Sequence, residues 1–246
     1  MAGKSSWLEY VWEVEGGEAL FGVELSLYRT APDPGAPILA YLCCETIGGE
    51  DISQRDLKRI EDIAARVAKR IGRRPAGFVQ ADNVRQYYFY IPDKASYDMM
   101  KELASKEKKL VCRVGGKRED NWATYFKFLY PDEFRYQTVR NREQVEKMRN
   151  IGDNLDAARR INLHMGFTNE QDRLMFEETA RRAGFAIGDP GFEPESEHPN
   201  SVVIYRISTL KRREINSVTL RSMELARKFR GVLLYWDCNI VPKSVK

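Results

Sequence analysis

Residues 149–167, RNIGDNLDAARRINLHMGF, place a glycine, two aspartates and a histidine just ahead of an apolar run. How this stretch is read decides the architecture of the chain's second half. As a metal loop, Asp153, Asp156 and His164 would have to converge on one ion. A hard divalent cation needs several oxygen ligands on a tight loop, yet these acids are followed by Arg159 and Arg160, which repel a cation. A catalytic zinc site takes more than one histidine, and the chain's second, His198, lies in a proline-bounded loop. A phosphate cradle needs a glycine-rich turn that opens a helix, whereas Gly152 precedes an alternating run. The stretch therefore reads as structure. Gly152 closes a preceding helix, Asp153 and Asn154 make a turn, and a strand runs from Arg160 to Phe167 with His164 among its alternating residues. No metal and no cofactor is expected.

Downstream, helical spacing from Asn169 to Ala183 ends at Gly184, a left-handed cap. A short strand starts at Phe185, and GDPGFEPESEHPN reads as a polar loop carrying Glu193, Glu195 and Glu197. SVVIYRISTL is a strand, Glu214 to Phe229 a helix with Ile215, Val218, Leu225 and Phe229 on one face, and VLLYWDCNIV the last strand. The order β-α-β-β-α-β predicts a ferredoxin-like sandwich.

Upstream, DEFRYQTVRNREQVEKMRN is charged, with a narrow apolar stripe of Val139, Val145 and Met148, and reads as a connector helix. The domain boundary is placed near residue 134, giving domains 1–134 and 135–246. In the first, WLEYVWEVE, ALFGVELSLY and ILAYLCCETI alternate as strands. A helix follows from Ser53, a good N-cap, to Ile71 before Gly72. GFVQADNVRQYYFYI reads as a hairpin turning at Ala81-Asp82-Asn83, with Tyr87 and Phe89 on one face and Tyr88 and Tyr90 on the other. A second helix spans Ser96 to Lys108, and KLVCRVGGKREDNWATYFKFLYP reads as another hairpin. The expected fold class is α+β, an antiparallel sheet with two helices on one face.

Of 246 residues, 43% are hydrophobic and 31% charged, the balance of a folded chain. No apolar run approaches the roughly 20 residues needed to span a bilayer, and MAGKSSWLEYVWEVEGG has no apolar core of a signal peptide. Cys43, Cys44, Cys112 and Cys238 all sit in apolar, strand-like stretches without metal-ligand spacing and read as reduced thiols of a cytoplasmic protein. Adjacent Cys43 and Cys44 point to opposite faces, against a local bridge. Residues 1–134 hold 20 Lys+Arg against 21 Asp+Glu, and residues 135–246 hold 20 against 15.

The segment GDNLDAARRINLHMGFTNEQDRLMFEETARRAGFAI resembles the bacterial regulator of ribonuclease activity B family. Gly152-Asp153, Asn169, Phe176, Ala180 and Gly184-Phe185 carry the likeness, and Trp236 in LLYWDC corresponds to the tryptophan of a closing Y-D-G-W-like signature, without its Tyr-Asp-Gly. It covers roughly residues 148–241. The first half, through WLEYVWEVEGG and YYFYIPD, resembles the bacterial domain of unknown function 695. The resemblance implies a non-catalytic protein that binds an endoribonuclease and dampens RNA cleavage. The best-known kind of member is strongly acidic, whereas residues 135–246 carry a net +5, so electrostatic steering disfavours the same complex and the resemblance transfers the fold better than the partner.

No G-x-S-x-G, Walker loop, G-x-G-x-x-G or H-E-x-x-H occurs, so no catalytic residue is assigned; His164 beside Asp153 or Asp156 is the sole acid–base candidate. The first hypothesis is a protein-interaction module contacting its partner through exposed parts of Arg159, Arg160, Trp236 and Asp237. The second is single-stranded nucleic-acid binding by the basic helix face Arg55, Arg59, Arg66, Arg70 and Arg73 with the aromatic strands RQYYFYI and NWATYFKFLY. The third is an enzyme with a site between the domains. No membrane partner is expected, and the oligomeric state is left open.

Overall fold

A computed structural model describes residues 6–243; residues 1–5 of the N-terminal stretch read above lie outside the described residues. The chain forms two compact units, Met1–Arg135 and Tyr136–Lys246.

The first unit is built on a six-stranded antiparallel sheet in the order β1-β2-β4-β5-β3-β6. Its strands are β1 (Trp7–Val14), β2 (Gly17–Glu24), β3 (Ile38–Thr46), β4 (Gly77–Ala81), β5 (Val84–Ile91) and β6 (Leu110–Arg118). Helix α1 (Gln54–Ile71) starts where the Ser53 hydroxyl accepts the Asp56 N–H, and ends where Gly72 adopts φ 66°. Both features are the physical signals of a helix that can begin and stop cleanly. Helix α2 (Lys94–Ser105) starts two residues before the expected Ser96, because Asp93 is the true cap, its carboxylate accepting the Ser96 N–H at 2.8 Å. Ile60, Ile63 and Val67 of α1 and Met100 of α2 bury against Ala40, Leu42, Cys44, Tyr87, Phe89 and Ile91. This is the α+β layer expected from the apolar spacing.

The opposite face is also buried, which corrects the second-hairpin expectation. After β6 the chain does not return as a strand. Tyr125–Leu129 form a turn of π-helix instead. Trp122, Tyr125 and Leu129 are buried, and spacings of three and four residues belong to a helical surface rather than a pleated one. Trp122 stacks on Tyr90 with centroids 3.8 Å apart, and the Tyr10 hydroxyl donates to the Leu129 carbonyl at 2.8 Å. Tyr88 and Tyr90 are therefore enclosed by this segment and offer no open stacking face, while Phe128 of the same segment stays exposed.

The second unit contains most of α3 (Glu133–Asn150), then β7 (Arg159–Phe167), α4 (Glu170–Arg182), β8 (Ala186–Phe192), β9 (Asn200–Ser208), α5 (Arg212–Arg227) and β10 (Val232–Cys238). The antiparallel sheet order β10-β7-β9-β8 is that of a ferredoxin-like sandwich. Asn169 caps α4 by accepting the Asp172 N–H at 2.9 Å. Ile161, Leu163, Met165 and Phe167 pack under Phe176, Ala180, Ile215 and Leu225, and Val145 and Met148 of α3 join the same core. One segment departs from expectation: the chain from Gly188 to Phe192 continues β8 rather than looping. β8 is an edge strand, and its register shifts between Ile187 and Pro190. An edge position at a bulge is where a sheet tolerates proline.

Candidate interaction surface

Strand alternation gives the second sheet two unlike faces. One is the apolar face, onto which α3, α4 and α5 turn their buried residues. The other presents Arg160, Asn162 and His164 of β7, Val203, Tyr205 and Ile207 of β9, and Tyr235 and Asp237 of β10, placed side by side by the register.

Six of them form one connected row. The Arg160 guanidinium lies 3.6 Å from the Tyr205 ring centroid, and its Nε donates to Asn162 Oδ1 at 2.7 Å. Asn162 Nδ2 donates to Asp237 Oδ1 at 2.7 Å. His164 Nε2 meets the other carboxylate oxygen, Asp237 Oδ2, at 2.6 Å. The imidazole then stacks on Tyr235, centroids 4.0 Å apart and planes 17° from parallel. Side chains held this way by one another on adjacent strands lose little freedom when a partner arrives. The face remains reachable, with Tyr235 of the row 56% and the neighbouring Ile207 64% exposed.

Of the four residues proposed from sequence for contact, Arg160 and Asp237 are in the row. Arg159 and Trp236 are not, and their expected exposure is corrected. Each is the strand neighbour of a row residue and so points to the opposite face. Arg159 is 6% and Trp236 5% exposed. The Trp236 Nε1–H donates to Asn141 Oδ1 of α3 at 2.9 Å. Asn162, His164, Tyr205 and Tyr235 also stand in the row without having been picked out from the sequence; a period-two reading of β7 carried from Arg160 would have found the first two.

The Gly-Asp turn proves to be a structural latch. Gly152 takes φ 82°, and Asp153, fully buried, accepts from Arg159 Nη1 at 2.6 Å and from the Val241 N–H at 2.9 Å. Arg159 Nη1 also donates to the Asn239 carbonyl at 3.0 Å. Burial alone would raise the Asp153 carboxyl, but the Arg159 hydrogen bond, the Val241 N–H and the Arg159 charge outweigh it and hold it below the usual aspartate range. The turn thus ties the residues after β10 to the start of β7. The three residues weighed as metal ligands go separate ways: Asp153 to Arg159, Asp156 to Lys211 at 3.4 Å, and His164 to Asp237. The acid–base pairing of His164 with Asp153 or Asp156 is accordingly corrected.

The basic face of α1 also divides. Arg55, Arg59 and Arg66, with Lys58 and Lys69, line an open groove of about 710 Å³ that includes Asp62 and Glu107. Arg70 is exposed but outside that lining, and Arg73 pairs with Asp33 at 2.7 Å. Arg73 follows the left-handed Gly72, so it has left the helical register that would have aligned it with the others.

A two-unit α+β chain, its second unit a ferredoxin-like sandwich with a polar–aromatic outer sheet face, is the class that these features define. The chain belongs to the Family of unknown function (DUF695), whose model matches residues 5–130, and residues 139–238 match the model of the Regulator of ribonuclease activity B. No curated protein matches the chain. Among the described residues no helix is long and apolar enough to cross a membrane.

Proposed function

We propose that this chain is a non-catalytic cytoplasmic interaction module that binds a protein partner, an RNA-processing endoribonuclease, through the outer face of the second sheet. The observation that carries the reading is the row Tyr205–Arg160–Asn162–Asp237–His164–Tyr235. Tyrosine and arginine dominate the energetics of protein interfaces, where a few anchored side chains supply most of the affinity. The match of residues 139–238 to a regulator of ribonuclease activity supports a regulated nuclease as the partner class. Masking a nuclease surface needs no nucleophile or metal from the masking protein.

The test is RNA cleavage by candidate endoribonucleases with and without the purified full chain, coupled to direct binding. A slowed cleavage with stoichiometric complex is expected. Tyr235→Ala should weaken binding by about 2 kcal/mol or more, roughly 30-fold, while leaving the fold intact because the ring is mostly exposed. Cleavage unchanged at saturating chain, or a complex indifferent to Tyr235 and Arg160 substitutions, overturns the reading.

A second reading, single-stranded nucleic acid bound directly, is favoured by the groove where Arg55, Lys58, Arg59, Arg66 and Lys69 gather on α1. Phosphate contacts release counterions, so affinity must fall steeply with salt. Oligonucleotide titration across salt checks it; a salt-independent affinity, or none at low salt, removes it.

A further inference from the structure

The first sheet brings together two cysteines that are 68 residues apart in the chain. β3 and β6 run antiparallel in a register that sets Cys44 opposite Cys112. Directly opposed residues on such strands have Cα atoms about 4.5 or 5.5 Å apart, inside the range of about 4.4–6.8 Å that a disulfide requires. The two sulfurs already stand 3.2 Å apart, joined by a sulfur–sulfur hydrogen bond. Closing that distance to a covalent bond of about 2.05 Å asks for rotation about two side-chain torsions and no shift of register. Cys43, the chain neighbour of Cys44, points to the other face and stands opposite Arg113, so it does not compete for Cys112.

We propose that Cys44 and Cys112 are a redox-responsive pair that closes to an intrachain disulfide when the protein meets a hydroperoxide. The roles follow from position. Cys44 is fully buried on the inner strand β3, whereas Cys112 is half-buried on β6, an edge strand of the sheet. The reagent therefore reaches Cys112 first. The shared hydrogen bond and burial keep Cys44 protonated well above the usual thiol range. The same hydrogen bond, with help from the charge of Arg66 and against burial and Glu107, favours the thiolate of Cys112. In the first step the Cys112 thiolate attacks one peroxide oxygen. The O–O bond breaks, hydroxide (or alkoxide) departs and takes up a proton, and Cys112 becomes a sulfenic acid. In the second step the Cys44 sulfur attacks the sulfur of Cys112. The S–S bond forms, the S–O bond breaks, and the oxygen leaves as water with the proton from Cys44. Two thiols are oxidised by two electrons and the peroxide is reduced. The product staples the edge strand β6, on which α2 packs, to the interior of the sheet.

The experiment treats the full chain with hydrogen peroxide, blocks remaining thiols by alkylation, and maps tryptic peptides without reduction. Cys43 and Cys44 fall in one tryptic peptide, so the Cys43→Ser/Cys238→Ser variant is run beside the unsubstituted chain. The expected result is a cross-link between the Cys44 and Cys112 peptides, lighter by two hydrogens than their sum. It should occur in monomeric chain, disappear with dithiothreitol, persist in Cys43→Ser/Cys238→Ser and be lost in Cys112→Ser. Three results would each overturn the proposal: both thiols still alkylated after oxidation, Cys112 oxidised to sulfinic acid without the cross-link, or a bridge that requires Cys43 or a second chain.

Discussion

Asp153 and Arg159 form an ion pair at 2.6 Å whose side chains are 0% and 4% exposed. They lie six positions apart in the chain, and between them the chain makes the turn from α3 into β7. The pair joins that turn to the segment following β10 through Val241 and Asn239. It is a fold-closing contact rather than a reactive one.

Removing one partner of a buried pair strands the other charge without water, a cost of about 3–5 kcal/mol. Asp153→Asn should therefore lower the unfolding free energy by about that amount in urea titration. A loss of only about 0–1 kcal/mol, the value of a surface pair, would contradict the latch. The pH dependence has a definite sign. Because the folded carboxyl lies below its unfolded value, its contribution is complete above the unfolded aspartate range, roughly pH 4, and disappears as pH falls through the folded value. Asp153→Asn should show no such acid-side decline from this site.

Two glycines of the second unit should fail for different reasons when changed to alanine. At Gly152 the added methyl meets nothing within 4 Å, but φ is +82°, so the cost is backbone strain of about 1–2 kcal/mol. At Gly231 the methyl would sit 2.1 Å from Phe167 Cε1. Phe167 is fully buried against Phe176, centroids 4.9 Å apart, so it cannot swing aside, and overpacking of about 1–3 kcal/mol follows. A double-mutant cycle with Phe167→Leu separates them, because contacting sites couple and distant ones add. Coupling is expected for Gly231→Ala and not for Gly152→Ala.

Alkaline conditions probe the first unit. Burial pushes the phenols of Tyr10, Tyr87 and Tyr88 up to about 12. In the unfolded chain they ionise near 10, so each contributes stability that is complete below about pH 10 and is lost as pH rises towards 12. Tyrosinate absorbance from these residues should emerge together with loss of near-ultraviolet circular dichroism. Their ionisation at about 10 with the tertiary signal intact would show that they are not enclosed as described.

Much of this molecule was legible along the chain. Apolar spacing located α1 and its caps at Ser53 and Gly72, alternation divided Tyr87 and Phe89 from Tyr88 and Tyr90, and the order of elements specified the ferredoxin-like sandwich. These are local properties: a helix face or a strand face repeats every few residues and needs no knowledge of distant partners. Even the failure at NWATYFKFLY was local, since Trp122, Tyr125 and Leu129 already held helical spacing.

The candidate surface was only half legible. Arg160 and Asp237 could be picked out as strand-end charges, but their neighbours Arg159 and Trp236 came with them. Which member of each adjacent pair faces outward depends on which side of the sheet the helices cover. The partner of His164 was beyond reach for a stronger reason. Asp237 is 73 residues away, and only the antiparallel register of β7 with β10 sets them side by side. The amino-acid order alone determined where strands and helices form and which residues could be buried. The tertiary structure decided which side chains meet, because hydrogen bonds between strands act across space at a register that no single strand contains.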